Sequence, residues 1–308
     1  MATLTSAIYG KDKVGVFRVV RTDTVHEVVE YNVRALLRGD ISTSFTQADN
    51  SVVVATDSMR IFVFLAKKSP YILDPVLFAL HLGIHFVQTY PHIHQTHISI
   101  EKLKWSRIAL PGKVEGHKHS FVRDGDEKRT VEVHVDGSKS KTAPSARIAA
   151  GLKDLLLLKT TGSAFEGFIQ DDYTTLLPVS DRILSTAVDT SYNFPPSPGL
   201  TIDGLAAYGA EYDFESVARK VRDATIELFA EDESASVQAT LYNTAQRVLK
   251  DNPKIVDITY TLPNKHYIPV NLSFFHDTQN VSPPNVAEVF TPTNSPSGVI
   301  KATVSRTS

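Results

Sequence analysis

The side chains of this 308-residue chain that could do chemistry gather in a few short stretches. The most specific runs Leu155-Leu156-Leu157-Leu158-Lys159-Thr160-Thr161-Gly162-Ser163-Ala164-Phe165-Glu166-Gly167-Phe168 and continues through Tyr173 and Leu176 to Arg182. An apolar strand that ends in a Ser/Thr/Gly loop, followed by spaced aromatics and an arginine, can build a pocket with a flat wall and a cationic rim. In Asn264-Lys265-His266 the two-residue spacing predicts that Asn264 and His266 share one strand face and Lys265 the other, although such a triplet also suits a turn. The stretch His92-Ile93-His94-Gln95-Thr96-His97 invites a metal, since His92 and His94 alternate onto one strand face and His81 and His85 share a helix face. No cysteine or carboxylate completes a recognisable metal set, so these histidines are assigned structural roles and no metal is expected.

Composition narrows the chemistry further. Without cysteine, the chain has no disulfide, zinc ribbon, iron–sulfur ligand or thiol nucleophile. Its 32 basic and 34 acidic side chains give a net charge of −2, which lacks the Lys/Arg excess of a nucleic-acid binder. The longest apolar stretches, Leu155 to Leu158 and Tyr71 to Val87, are too short or too interrupted by Asp74, His81 and His85 to span a bilayer. The opening MATLTSAIYGKDK has no apolar signal core, and an intracellular protein with no membrane partner is expected.

The elements that must position these residues follow a repeated rhythm. Val14 to Arg21 and His26 to Leu37 predict a β-hairpin. Thr56-Asp57-Ser58 predicts a helix start, followed by helices near Met59 to Lys67 and Asp74 to Tyr90. Strands are expected at His97 to Leu110, His119 to Arg123 and Thr130 to Val135. In the second half, strand-like material to Leu158 leads into an irregular region, Thr160 to Gly209, and then helices Glu215 to Glu231 and Ala235 to Lys250. Strands Ile255 to Leu262, Tyr267 to Phe275 and Val299 to Val304 close the chain, the last within a Pro/Asn/Ser/Thr-rich tail. Strand pair, helix pair, strand pair thus occurs twice, an α+β arrangement of two domains, 1–136 and 137–308, each an antiparallel sheet with two helices on one face. If the other face is apolar, copies of the chain must close it, so an oligomer is expected.

In its details the sequence resembles the urate oxidase (uricase) family. Besides the Leu155–Arg182 string, the resemblance rests on Tyr9-Gly10-Lys11-Asp12, Ala48-Asp49-Asn50, Val54-Ala55-Thr56-Asp57-Ser58, His119-Ser120-Phe121, Asp181-Arg182-Ile183-Leu184-Ser185-Thr186, Ser236-Val237-Gln238-Ala239-Thr240 and Leu262-Pro263-Asn264-Lys265-His266-Tyr267, in family order from residue 9 to about 301. It implies two tandem tunnelling-fold (T-fold) domains, a homotetramer enclosing a β-barrel tunnel with active sites between subunits, and oxidation of urate by O2 and water to 5-hydroxyisourate and hydrogen peroxide without metal or organic cofactor.

Residue by residue, Arg182 matches the family's guanidinium clamp, Gln238 the amide on the opposing edge and Phe165 the stacking ring. Val237 would offer its backbone, and Leu176 and Ile300 the apolar walls. Lys11 and Thr56 match the proton-handling pair, which comes from the neighbouring subunit; a desolvated lysine can be neutral near about pH 7 and act as a base. Asp57 would give its backbone N–H to the purine edge, Asn264 would border the small hole for O2 or water, and His266 would relay protons. The alternatives are a zinc-dependent pterin-type enzyme on the same fold, using His92, His94 and His97, and a purine-binding oligomer without activity.

The chain departs from the family pattern in Met59-Arg60-Ile61, about one residue shorter than usual, and in Ala187, where an Asp is common. Family resemblance implies a peroxisomal enzyme, but the chain ends Ser305-Arg306-Thr307-Ser308 and lacks the Ser-Lys-Leu address, which leaves a cytoplasmic location as the other expectation.

Overall fold

Alternate burial defines the strands. In β2 (His26–Gly39) the residues Val29, Tyr31, Val33, Ala35 and Leu37 are buried while their neighbours face outward, the period-2 pattern of a half-buried strand. The computed structural model describes residues 2–55, 57, 61–112, 115–275, 280, 287–293, 295 and 298–307. The chain divides into two compact units, Met1–Gly151 with Tyr192–Ala218, and Leu152–Ser191 with Arg219–Ser308. No helix among the described residues is long and apolar enough to cross a membrane.

In the first unit β1 (Tyr9–Arg21), β2, β3 (Ile93–Arg107) and β4 (Phe121–Asp136) are antiparallel neighbours in chain order, followed by the start of β5 (Ser145–Lys159). The short helices α1 (Ser42–Thr46) and α2 (Ile61–Lys68) precede α3 (Pro75–Thr89), which packs on β3 and β4. Asp74 caps α3 by accepting from the backbone N–H groups of Val76 (2.8 Å) and Leu77 (3.1 Å), and Pro75 occupies the first turn, where no N–H is needed. Helix α3 is apolar on most of its surface because it is buried on most sides. A Cβ at Gly83 would lie 2.6 Å from Val135 Cγ2 and 2.9 Å from Thr96 Oγ1, so glycine there permits the close approach of helix to sheet.

In the second unit the neighbour order is β5, β6 (Leu184–Asn193), β7 (Asp257–Lys265) and β10 (Gly298–Ser305), and α6 (Val237–Asp251) packs on β7 and β10. Helices α4 (Leu205–Tyr212) and α5 (Phe214–Glu231) precede α6. Arg306 donates to the carbonyls of Ile255 (2.7 Å) and Asn252 (2.7 Å), closing the C-terminal end of α6 and fixing the end of β10.

The strand pair, helix pair, strand pair order is therefore observed twice, with three departures from expectation. The region Thr160 to Gly209 is not wholly irregular, because it contains β6 and the start of α4. The inward positions of β6 are Leu184, Thr186, Val188, Thr190 and Tyr192, and Ser185 on the opposite face is buried as well, so two inward threonines and a buried serine hid its alternation. The strand expected to reach Phe275 is only β8 (Tyr267–Pro269); it pairs with β9 (Phe290–Pro292) alone, an edge position that tolerates Pro269. The helix-free face of the first unit is polar, carrying Arg34, Arg38, His97, Glu132 and His134, so a bare apolar face does not supply the reason for an oligomer there. Of the expected helix start, Thr56, Ser58 and Met59 lie outside the described residues.

Candidate active site

The polar loop that ends β5 is stitched from two sides. Ser163 C=O accepts from Arg182 N–H (2.8 Å), Gly162 C=O accepts from Ser234 N–H (3.0 Å), and Ser234 C=O accepts from Ala164 N–H (2.8 Å). Phe165 and Val179 exchange both backbone bonds, at 2.7 and 3.0 Å. The loop therefore links Phe165, Arg182 and the segment leading into α6. The Asp181 carboxylate completes the arrangement, accepting from the Thr161 hydroxyl (2.7 Å) and the Gly162 N–H (2.8 Å); these bonds, the hydroxyl foremost, hold its pKa below the ordinary carboxylate value.

Arg182 lies with its guanidinium carbon 5.1 Å from the centroid of the Phe165 ring, and Phe168 stacks on that ring at 4.8 Å. Half-buried, the guanidinium has its pKa lowered by desolvation, and its Nε is buried with no partner among the described residues. Ser163 Oγ is likewise buried and unpartnered. Buried donors are almost always satisfied, so a buried guanidinium Nε without a protein partner beside an aromatic ring is suited to pair with an acceptor on a ligand.

Helix α6 begins at the same loop. Ser236 is its N-cap and accepts from Ala239 N–H (3.1 Å), a cap worth about 1 kcal/mol. The Thr240 hydroxyl lies within hydrogen-bond distance of Asp232 Oδ2 (2.6 Å) and Ser234 Oγ (2.7 Å), which holds the turn before the helix. Val237 and Gln238 thus stand in the first turn, where backbone N–H groups lack helical partners and favour an anion. Val237 is buried and, with Leu262, Tyr260 and Thr186, lines a cavity of about 20 Å³. Ile300 pairs with Leu262 across β10 and β7, and Asn264 pairs with Gly298. Leu176 is 49% exposed on the loop between Phe165 and Arg182.

His266 falls outside the strand. Strand β7 ends at Lys265, and His266 forms the link to β8, held by Thr293 through both its N–H (3.1 Å to Oγ1) and its C=O (2.9 Å from N–H). The two-residue alternation that put Asn264 and His266 on one face therefore does not extend to His266.

In the first unit Lys11 sits on β1 opposite Ala35, at a register shift between Lys11 and Val14. Lys13 has φ +55°, a left-handed backbone that a bulge imposes and that re-aims the neighbouring side chains. The Tyr9 hydroxyl accepts from Val54 N–H (2.7 Å), so the segment that leads to Asp57 is tied to the strand that carries Lys11. Asp57 is an exposed turn residue, and Thr56 lies outside the described residues.

Of the histidines expected to be structural, His92 has its Nε2 buried without a hydrogen-bond partner among the described residues, and the others go to separate partners. His94 Nε2 is 2.9 Å from Asp40 Oδ2, His81 Nδ1 is 2.9 Å from Ser69 Oγ, His85 Nε2 is 3.3 Å from Thr89 Oγ1, and His97 contacts His134. Among the described residues, no group of three or more His, Asp or Glu side chains could hold a metal. Residue types alone did not single out Asp181, Ser163, Ser234 or Tyr9. For Asp181 the available signal was its place beside Arg182 and the hydroxyl-rich Thr160-Thr161-Gly162 segment it binds.

Comparison with known proteins covers nearly the whole chain. The uricase family model matches residues 7–134 and 148–301, two segments that fall on the two strand–helix–strand halves. The uricase of Aspergillus flavus is 41% identical over 310 residues, spanning 100% of this chain and 98% of that one. The uricase of Schizosaccharomyces pombe is 39% identical over 281 residues, 91% of this chain and 90% of its own. The crystal structure of uricase from Arthrobacter globiformis superposes with a TM-score of 0.84 at 33% identity, covering 99% of this chain and 96% of that one. The doubled strand–helix–strand order and a match that extends through both halves lead to one conclusion: the chain belongs to the uricase family and carries its tandem tunnelling folds.

Proposed function

We propose that this protein is a urate oxidase that converts urate, O2 and water into 5-hydroxyisourate and hydrogen peroxide, using neither a metal nor an organic cofactor. The observation that carries the proposal is the unpartnered Arg182 Nε, half-buried against Phe165 beside the loop that opens α6. Urate is a flat anion with a hydrogen-bonding edge, and a planar guanidinium fork beside an aromatic ring complements both properties. Arg182 pairs with one edge of the purine, while Gln238 and the backbone of Val237 hold the other. Phe165 stacks on the purine plane once one of the two groups now against its ring gives way. Leu176 and Ile300 wall the pocket, and Asn264 borders the space above the ring where O2 or water sits.

The proton-handling half comes from a second copy of the chain. Lys11 accepts a proton that Thr56 passes from the substrate, Asp57 contributes its backbone N–H to the purine edge, and His266 relays protons to solvent. We propose a homotetramer in which the duplicated halves, 1–136 and 137–308, line a common tunnel. Exposed Phe17, Phe45 and Phe64 are candidates for burial in that assembly.

The test is loss of urate absorbance with matching peroxide release by protein stripped of metal. Arg182→Ala should raise KM on the order of 10- to 100-fold, the loss of about 1.5–3 kcal/mol of charge-assisted hydrogen bonding, and affect kcat less. Lys11→Met should lower kcat by about 10²-fold or more with a smaller effect on KM. Turnover that requires stoichiometric zinc, or full turnover in Lys11→Met, would overturn the assignment.

A further inference from the structure

The helix-free face of the first unit holds a cavity of about 520 Å³ that the urate site does not use, lined by Arg34, Arg38, His97, Glu132, His134 and Arg147 among others. Four adjacent strands supply these groups. His97 on β3 lies opposite Leu36 on β2 and His134 on β4, while Arg34 and Arg38 stand two residues to either side of Leu36. Two residues of strand span about 7 Å, so both flexible arginines can reach a ligand centred over the Leu36–His97 pair.

Arg147 Nη2 lies 3.2 Å from His134 Nδ1; a guanidinium only donates, so in this contact Nδ1 is the acceptor, the tautomer that carries its proton on Nε2. The rings of His97 and His134 are 4.3 Å apart. Burial, with the surrounding arginines adding to it, holds both below the ordinary histidine range. The cavity thus presents three guanidinium groups and a neutral imidazole N–H against the carboxylate of Glu132, while Asp136, next along the same face beside His134, is already bonded to Gln95 and the Ser138 N–H. In a chain with a net charge of −2 this is a local excess of positive charge made of donors, in a concave place of ligand size.

We propose that this face binds a small oxyanion of the phosphate class. Arg34, Arg38 and Arg147 supply planar, bidentate forks suited to tetrahedral oxygens, and the His134 imidazole supplies a neutral donor. Glu132 opposes the ligand and sets how weakly it is held. None of these residues belongs to the urate pocket, so the proposal stands whether or not that assignment is correct.

Inorganic phosphate is the probe. The intact protein is titrated calorimetrically, and its thermal midpoint is followed in phosphate and in chloride at equal ionic strength. The expected result is saturable binding and a rising midpoint in phosphate alone. The double variant Arg34→Gln/Arg147→Gln should bind phosphate at least ten-fold more weakly at unchanged urate turnover, which shows that it has folded. Glu132→Gln, which removes the carboxylate that lines the cavity, should bind several-fold more tightly. Arg182→Ala should retain phosphate binding, which separates this cavity from the urate pocket. An equal response to chloride, wild-type affinity in the double variant, no gain in Glu132→Gln, or loss of binding in Arg182→Ala would each overturn the proposal.

Discussion

Asp181 touches no ligand in the proposed arrangement, yet two of its bonds decide where Arg182 and Phe165 stand. Its carboxylate is committed to the Thr161 hydroxyl and to backbone N–H groups, Gly162 foremost, and not to the guanidinium of the arginine beside it in sequence. Asp181→Asn keeps the volume, and its amide can still donate to the Thr161 hydroxyl and accept from Gly162 N–H, but neutral bonds replace charge-assisted ones, a loss of about 1–1.5 kcal/mol. The predicted outcome is a KM about ten-fold higher with kcat nearly unchanged, because the chemistry-bearing residues remain in place. Steady-state urate kinetics would show this, and an unchanged KM or an equal fall in kcat would remove Asp181 from its positioning role. At this scale Phe165 and Arg182 stood out in the sequence as an aromatic and an arginine spaced along one loop, whereas Gln238 was singled out only by the family resemblance. Asp181 did not stand out, because an acidic residue beside an arginine suggests an ion pair, and only the folded loop shows the carboxylate facing elsewhere.

Elements differed in legibility according to what fills their interior. Helix α3 was visible because Asp74 and Pro75 mark its start and apolar residues cover most of its surface. Strand β6 was not, since two of its inward positions are Thr and a buried Ser breaks the alternation on the other face. The buried surface of α3 also makes stability depend on pH. Burial, with His85 adding to it, holds the pKa of His81 below its ordinary value, and burial lowers that of His85 too. In the unfolded chain both titrate near about 6.5, so below that pH the unfolded state binds more protons than the folded one. Their contribution is complete above about pH 6.5 and is lost as the pH falls toward the folded-state values. His81→Gln, which keeps a polar partner for Ser69, should therefore have a shallower fall in thermal midpoint between about pH 7 and 5 than the unmodified chain. Parallel curves would show that His81 does not drive the acid loss.

At the scale of the whole molecule, the duplicated rhythm was legible because each half repeats the same order of strands and helices, and the two matched segments of the uricase model fall on those halves. Assembly was not. The expected argument began from an apolar open sheet face, and the face in the first unit carries arginines, histidines and a glutamate instead. The distribution of the candidate residues bears on assembly more directly. Lys11 and Asp57 belong to the first unit, whereas Phe165, Arg182, Val237, Gln238, Asn264, His266 and Ile300 belong to the second.

That partition has a genetic counterpart. If each site takes its acid–base half from one copy and its binding half from another, Lys11→Met and Arg182→Ala damage different halves. Neither variant alone assembles an intact site. Hybrids formed by co-expression would pair the sound half of each parent, and in random mixtures about a quarter of the sites would be intact by simple combinatorics. Assayed at urate well below the raised KM of Arg182→Ala, where both parents are nearly inactive, the hybrids should thus show a measurable fraction of normal turnover, whereas mixtures no more active than their parents would show that every site is built from a single chain.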